Sequence, residues 1–178
     1  MKEVRVLDKS FREYISESEI VSRIEELAGL INRDYQGREV VFLGILNGAF
    51  LFAAELFKRI KLNAQISFVK LASYEGTGSS GTIKELIGWN EDIRNKDVII
   101  TEDIVDTGMT LERIYDELTI RKVAGIKVAT LLLKPEAYTK DIPVDYIGFE
   151  IPNKFVIGFG LDYNGYARNL PSIYILNT

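Results

Sequence analysis

Apolar runs of strand length alternate with helical spacing through most of this chain. Ser16 with Glu19 three residues later forms a capping-box pair, and Ile20, Ile24, Leu27 and Ile31 then recur at helical spacing. That helix should stop near Gly37. The run VVFLGIL (40–46) predicts a buried strand, and Asn47-Gly48 leads from it into a helical pattern reaching about Ile60. Further strands are predicted over 64–74, 98–101, 127–134, 145–151 and 155–161, with a helix from about Thr107 to Ala124.

Strands rich in Val, Ile and Leu, with no polar alternation, are buried on both faces. Their alternation with helices predicts an α/β fold with a central parallel sheet flanked by helices. Ligands in such sheets bind beyond the carboxyl ends of the strands. Polar residues interrupt the apolar runs at Leu46-Asn47-Gly48, from Glu102 to Thr110, at Lys134 and after Leu161, so chemistry is expected there. The segment SYEGTGSSGTIKEL (73–86) interleaves Gly76, Gly78 and Gly81 with Ser and Thr. By its residues alone it reads as a hairpin tip sooner than as a mobile lid.

The stretch VIITEDIVDTGMTL (98–111) sets Glu102, Asp103 and Asp106 where a strand should leave its sheet. Carboxylates that close repel one another and call for a cation, a polyhydroxyl ligand or water. The amides of Thr107, Gly108, Met109 and Thr110, with two threonine hydroxyls, make a cradle for a phosphate monoester at a helix N-terminus. Glu102 and Asp103 can accept from sugar hydroxyls or help to hold a hydrated Mg²⁺. The plain alternative makes Asp106 a helix cap and the other two solvated loop charges. Six polar positions directly after an apolar strand weigh against it.

Composition narrows the classes. Lys plus Arg is 22 and Asp plus Glu is 26, a net charge of −4, which argues against a protein that coats nucleic acid. Without cysteine there is no disulfide framework, thiolate nucleophile or Cys-based zinc site. Without histidine, proton transfer falls to Asp, Glu, Lys or Tyr. MKEVRVLDKS has no apolar signal segment, and GAFLFAAELFKRI is broken by Glu55 and Lys58 and too short to span a bilayer. A cytoplasmic protein without membrane contact is expected. No G-x-x-x-x-G-K-[ST] occurs, which excludes a P-loop NTPase.

The 98–111 stretch resembles the phosphoribosyl pyrophosphate motif of the type I phosphoribosyltransferases: an apolar strand, two acids, then Asp-Thr-Gly-x-Thr. GFEIPNKFVIGFGLDYNGYARNLP (148–171) resembles the purine-binding stretch of their hypoxanthine-guanine branch. The likeness runs from about Val40 onward and is weakest over 75–95 and at the N-terminus. It implies the type I phosphoribosyltransferase fold as one domain over 1–178, with a small hood from the N-terminal segment and about 150–178. It also implies a lid over about 73–86. The implied activity joins a 6-oxopurine to phosphoribosyl pyrophosphate with Mg²⁺, releasing pyrophosphate. A homo-oligomer, dimer or tetramer, is implied as well.

The resemblance assigns roles residue by residue. Asp106 lies near the purine N7 as general acid or base, and Glu102, Asp103, Asp106, Thr107, Gly108, Met109 and Thr110 hold the phosphoribosyl group. Lys134 donates to O6, Phe155 stacks on the base, and the Val156 backbone faces its edge. Asp162 belongs to the purine-binding set and joins Glu102 and Asp103 as a metal contact. Arg168 and Leu46-Asn47-Gly48 take pyrophosphate, with a strained or cis peptide before Asn47 as a family trait. Asn47 stands where many relatives carry lysine, which removes a cation from that side. Ser73 and Tyr74 match a pair that folds over the reaction centre, and this tips 73–86 toward a lid. Transfer to xanthine or a pyrimidine remains an alternative. So does an RNA-binding nucleotide sensor on the same fold, which the charge of −4 and the complete set of catalytic positions disfavour.

Overall fold

The computed structural model describes residues 2–72, 84–87 and 92–177. A hairpin of β1 (Glu3–Val6) and β2 (Lys9–Ile15) comes first, followed by helix α1 (Glu17–Asp34). The predicted capping box starts α1: Ser16 accepts from the Glu19 amide while the Glu19 carboxylate accepts from the Ser16 amide at 2.9 Å. Ile20, Ile24, Leu27, Ala28 and Ile31 are all buried on one face of the helix. Each of the isoleucine and leucine side chains contributes about 1.5–3 kcal/mol on leaving water.

The remaining elements build a six-stranded sheet and complete a second, smaller one. They are β3 (Glu39–Leu46), α2 (Phe50–Phe57), β4 (Asn63–Ala72), β5 (Lys84–Ile87), β6 (Asp97–Val105), α3 (Met109–Ile120), β7 (Gly125–Leu133), β8 (Tyr146–Glu150), β9 (Val156–Ile157) and β10 (Ile173–Leu176). The larger sheet has the order β5-β4-β3-β6-β7-β8. Its pairings are parallel except β4 with β5, so five parallel strands form its body. One apolar cluster packs α1 and α2 against Val40, Phe42 and Ile99. Another packs α3 against Val41, Val98 and Val128. Burial on both faces is why these strands carry no polar alternation. The four-stranded antiparallel sheet, β1-β2-β10-β9, joins residues 3–15 to residues 156–176. No helix among the described residues is long and apolar enough to cross a membrane.

Several predicted boundaries move. The strand expected over 98–101 runs on to Val105, because pairing with β7 continues through Val105 and Leu133. Glu102 and Asp103 therefore lie inside the sheet. The helix expected from Thr107 starts at Met109, since Gly108 takes φ +86° and keeps 106–108 a loop. Of the strand expected over 155–161 only Val156–Ile157 forms. Positive φ at Gly158, Phe159 and Gly160 turns the chain away. Residues 84–86, placed in the lid by sequence, belong to β5. The rest of that lid, with Ser73 and Tyr74, lies outside the described residues.

Candidate active site

The chain runs from β3 outward to β4 on one side of the sheet, and from β6 through β7 to β8 on the other. Ligands in open α/β sheets bind at this reversal, beyond the strand ends. A cavity of about 520 Å³ opens there. Of the residues singled out by sequence, Leu46, Gly48, Glu102, Asp103, Asp106, Thr107, Gly108, Met109 and Thr110 line it.

The loop from β6 to α3 has the form of an anion cradle. Gly108 is the N-cap of α3, and no side chain caps that end. The Gly108 carbonyl accepts from the Glu112 amide at 2.9 Å, so the amides before Glu112 fall in the turn that has no partner within the helix, and Met109, Thr110 and Leu111 line the cavity. Asp106 is therefore no helix cap. Its carboxylate pairs with Lys134, Nζ to Oδ2 at 2.6 Å. The lysine side chain is only 9% exposed and the aspartate 43%, so a buried ammonium holds a carboxylate that faces open space. Lys134 stands one residue beyond β7, where its amide donates to the Val105 carbonyl.

Glu102 and Asp103 are buried. Burial, then repulsion by Asp103, pushes the Glu102 carboxyl well above the usual range. Burial pushes Asp103 up to about 6, against hydrogen bonds from backbone amides and the charge of Arg168. A side chain on Gly48 would run into the Asp103 carboxylate, so only glycine lets the β3–α2 loop lie this close. Mg²⁺ takes hard oxygen ligands and needs only one or two carboxylates beside substrate phosphates. Glu102 and Asp103 suit it: two adjacent buried carboxylates on the cavity wall, whose shared negative charge a divalent cation relieves. Among the described residues no group of three acidic or histidine side chains is placed to hold a metal by itself.

The side of the cavity near Gly48, to which the resemblance assigns pyrophosphate, is assembled from distant segments. The Leu46-Asn47 peptide is cis, and Asn47 is exposed. Gly160, at φ +101°, packs against the Gly48 carbonyl, where a methyl group would clash. Arg168 donates from Nη1 to the Gly160 carbonyl at 2.6 Å and pairs through Nη2 with Asp162 at 2.7 Å. Asp162, expected at the metal, is thus held by Arg168 and by the Gly165 amide at 2.6 Å. Phe155 and Val156 do not line the cavity. Val156 is buried in β9. Phe155 is 43% exposed and meets Tyr163 edge-on, with ring centroids 5.9 Å apart.

Comparison with known proteins decides the family. The sequence profile of the phosphoribosyl transferase domain matches residues 12–164. This chain belongs to the phosphoribosyltransferase family. The hypoxanthine-guanine phosphoribosyltransferase of Lactococcus lactis is 42% identical over 172 residues, spanning 96% of this chain and 93% of that protein. A hypoxanthine phosphoribosyltransferase structure from Staphylococcus aureus superposes with TM-score 0.87 at 41% identity, covering 93% of this chain and 91% of that one. A hypoxanthine-guanine phosphoribosyltransferase structure from Bacillus anthracis gives 0.86 at 38% identity, covering 94% and 97%.

In this phosphoribosyltransferase the structure also gathers residues the sequence did not single out. Tyr138, Thr139 and Lys140 follow Lys134 and lie against the Asp106–Met109 loop, and Glu112 receives Lys140 at 2.7 Å. The available signal was weak: a tyrosine and a lysine between Pro135 and Pro143, in a connection with no periodicity.

Proposed function

We propose that the chain transfers the 5-phosphoribosyl group of phosphoribosyl pyrophosphate to a 6-oxopurine, hypoxanthine or guanine, with Mg²⁺. The products are IMP or GMP and pyrophosphate. One observation carries the reading: the Lys134 ammonium and the Asp106 carboxylate stand 2.6 Å apart beside the phosphate cradle. A 6-oxopurine presents O6 and N7 on a single edge. A donor for O6 and a carboxylate for the N7 proton must therefore be neighbours. The names of the relatives support the same substrate class.

The cradle amides and the Thr107 and Thr110 hydroxyls hold the 5′-phosphate. The bond from C1 to pyrophosphate breaks, its electron pair leaving with pyrophosphate, while a purine ring nitrogen bonds to C1. The proton released from N7 passes to Asp106. Lys134 exchanges Asp106 for O6 as the base arrives, so its buried ammonium keeps a partner throughout. Arg168 and the Leu46-Asn47-Gly48 loop receive pyrophosphate. Glu102 and Asp103 would hold Mg²⁺, which when bound would supply positive charge to the phosphates. A homo-oligomeric assembly and a cytoplasmic location belong to the same reading, supported by the family likeness.

The test is a base panel of hypoxanthine, guanine, xanthine, adenine and uracil with phosphoribosyl pyrophosphate and Mg²⁺, following nucleotide formation. IMP and GMP are expected. Nucleotide formed only from uracil, or from no base, would overturn the proposal.

A further inference from the structure

The connection between β7 and β8 does more than cross from one strand to the next. Lys134 opens it, and its carbonyl accepts from the Ala137 and Tyr138 amides, both at 3.1 Å, which folds the segment back at once. The Tyr138 hydroxyl then donates to the Ile142 carbonyl at 2.6 Å, tying the segment across its own width. Tyr138, Ile142 and Val144 all pack against the apolar cluster under α3. The result is a short strap anchored in the core.

From this anchor the strap touches the cradle residue by residue. Lys134 holds Asp106, and Thr139 Oγ1 donates to the Thr107 carbonyl at 3.4 Å. A methyl group on Gly108 would lie 2.5 Å from Tyr138 Cε2 and 2.8 Å from Lys140 Cγ. The Tyr138 ring and the Lys140 stem therefore lie flush against Gly108, the residue whose φ of +86° sets the loop's bend. Lys140 Nζ reaches on to Glu112 in the first turn of α3. Neither Tyr138 nor Lys140 lines the cavity.

We infer that Tyr138 and Lys140 are positioning residues: the strap clamps the 106–109 loop and holds its amides in the geometry that binds the 5′-phosphate. The inference rests on the proposed reading of that loop as the phosphate cradle. A backbone cradle has no side-chain rotamers with which to correct itself, so its grip depends on what fixes the loop from behind. The ring packs on Gly108 without lining the cavity, and the lysine stem packs beside it.

The experiment compares the dissociation constants of IMP and inosine, which differ only in the phosphate, by titration calorimetry well below the melting temperature. Tyr138→Ala is expected to narrow the preference for IMP by about tenfold or more with inosine binding unchanged, as expected for displaced binding groups. Lys140→Ala, at a partly exposed side chain that does not enter the core, is expected to narrow it about threefold and keeps the test open if Tyr138→Ala fails to fold. A folded Tyr138→Ala or Lys140→Ala protein with the wild-type preference would overturn the inference, as would equal losses for IMP and inosine. Wild-type protein with no preference for IMP would instead refute the cradle itself, a separate outcome.

Discussion

Lys134 Nζ and Asp106 Oδ2 are 2.6 Å apart, although 28 positions separate them in the chain. The lysine comes from the end of β7, and the aspartate follows β6 directly. Parallel pairing that runs to Val105 and Leu133 carries both to one point on the sheet's rim. Neither side chain has this meaning alone. Together they form a donor beside a proton acceptor, on the scale of one purine edge.

Asp106→Asn should leave the cradle intact, because that cradle is backbone amide and threonine hydroxyl. It should abolish proton transfer, typically worth on the order of 10² to 10⁴ in rate. A fall in turnover of that size is expected in steady-state assays, with IMP affinity changed little. Turnover within about twofold of wild type, far below that range, would remove Asp106 from the chemistry.

Asp103 gives a pH signature to the metal-free protein. Burial pushes its folded-state carboxyl up to about 6, against 3.8 for the ordinary group. Below the lower value the folded and unfolded forms both hold the proton, and there is no penalty. As pH rises from about 4 to about 6 only the unfolded form releases it, so stability falls, and above 6 the full penalty remains. Asp103→Asn should therefore stabilise the protein at pH 7 without divalent cation, on the order of 2–3 kcal/mol, and much less near pH 4. Urea unfolding at the two pH values checks this. A variant less stable than wild type at pH 7 would mean the carboxylate is compensated.

Much of this was legible in the sequence, for definite physical reasons. A strand covered on both faces must be apolar throughout, so 40–46 and 127–134 could be read directly. The Ser16–Glu19 cap and the stripe from Ile20 to Ile31 are local patterns that burial makes obligatory. The 106–108 loop was readable as a turn into a helix N-terminus, because such a turn favours small and hydroxylated residues. What could not be read depends on distance in the chain. The Lys134–Asp106 and Arg168–Asp162 pairs form only once the sheet and the 158–165 turn exist. The apolar 155–161 run hid three positive-φ residues in succession, so a turn looked like a strand. Burial of Glu102 and Asp103 inside β6 was missed because charges are ordinarily placed in loops.

Gly160→Ala tests how the Gly48 loop and the 158–161 turn are held together. The residue has φ +101°, and its Cα faces the Gly48 carbonyl, so a methyl group meets both backbone strain and a clash. A loss of about 1–3 kcal/mol is expected in the urea midpoint. Pyrophosphate affinity should fall too, since the Gly48 loop and Arg168 both bear on this residue. An unchanged midpoint would show that the 158–161 turn relaxes freely.

In the proposed function Lys134 and Asp106 read one purine edge, and the hypoxanthine-to-adenine ratio of kcat/KM tests this most directly. Adenine sets an amino group against the lysine, donor facing donor, and about 1.4 kcal/mol is already tenfold. Wild-type protein is expected to favour hypoxanthine by at least about 10²-fold. Lys134→Gln should narrow that ratio while activity on hypoxanthine drops, because the amide can turn its oxygen to the amino group. Equal use of both bases by the wild type, or an unchanged ratio in Lys134→Gln, would contradict the account.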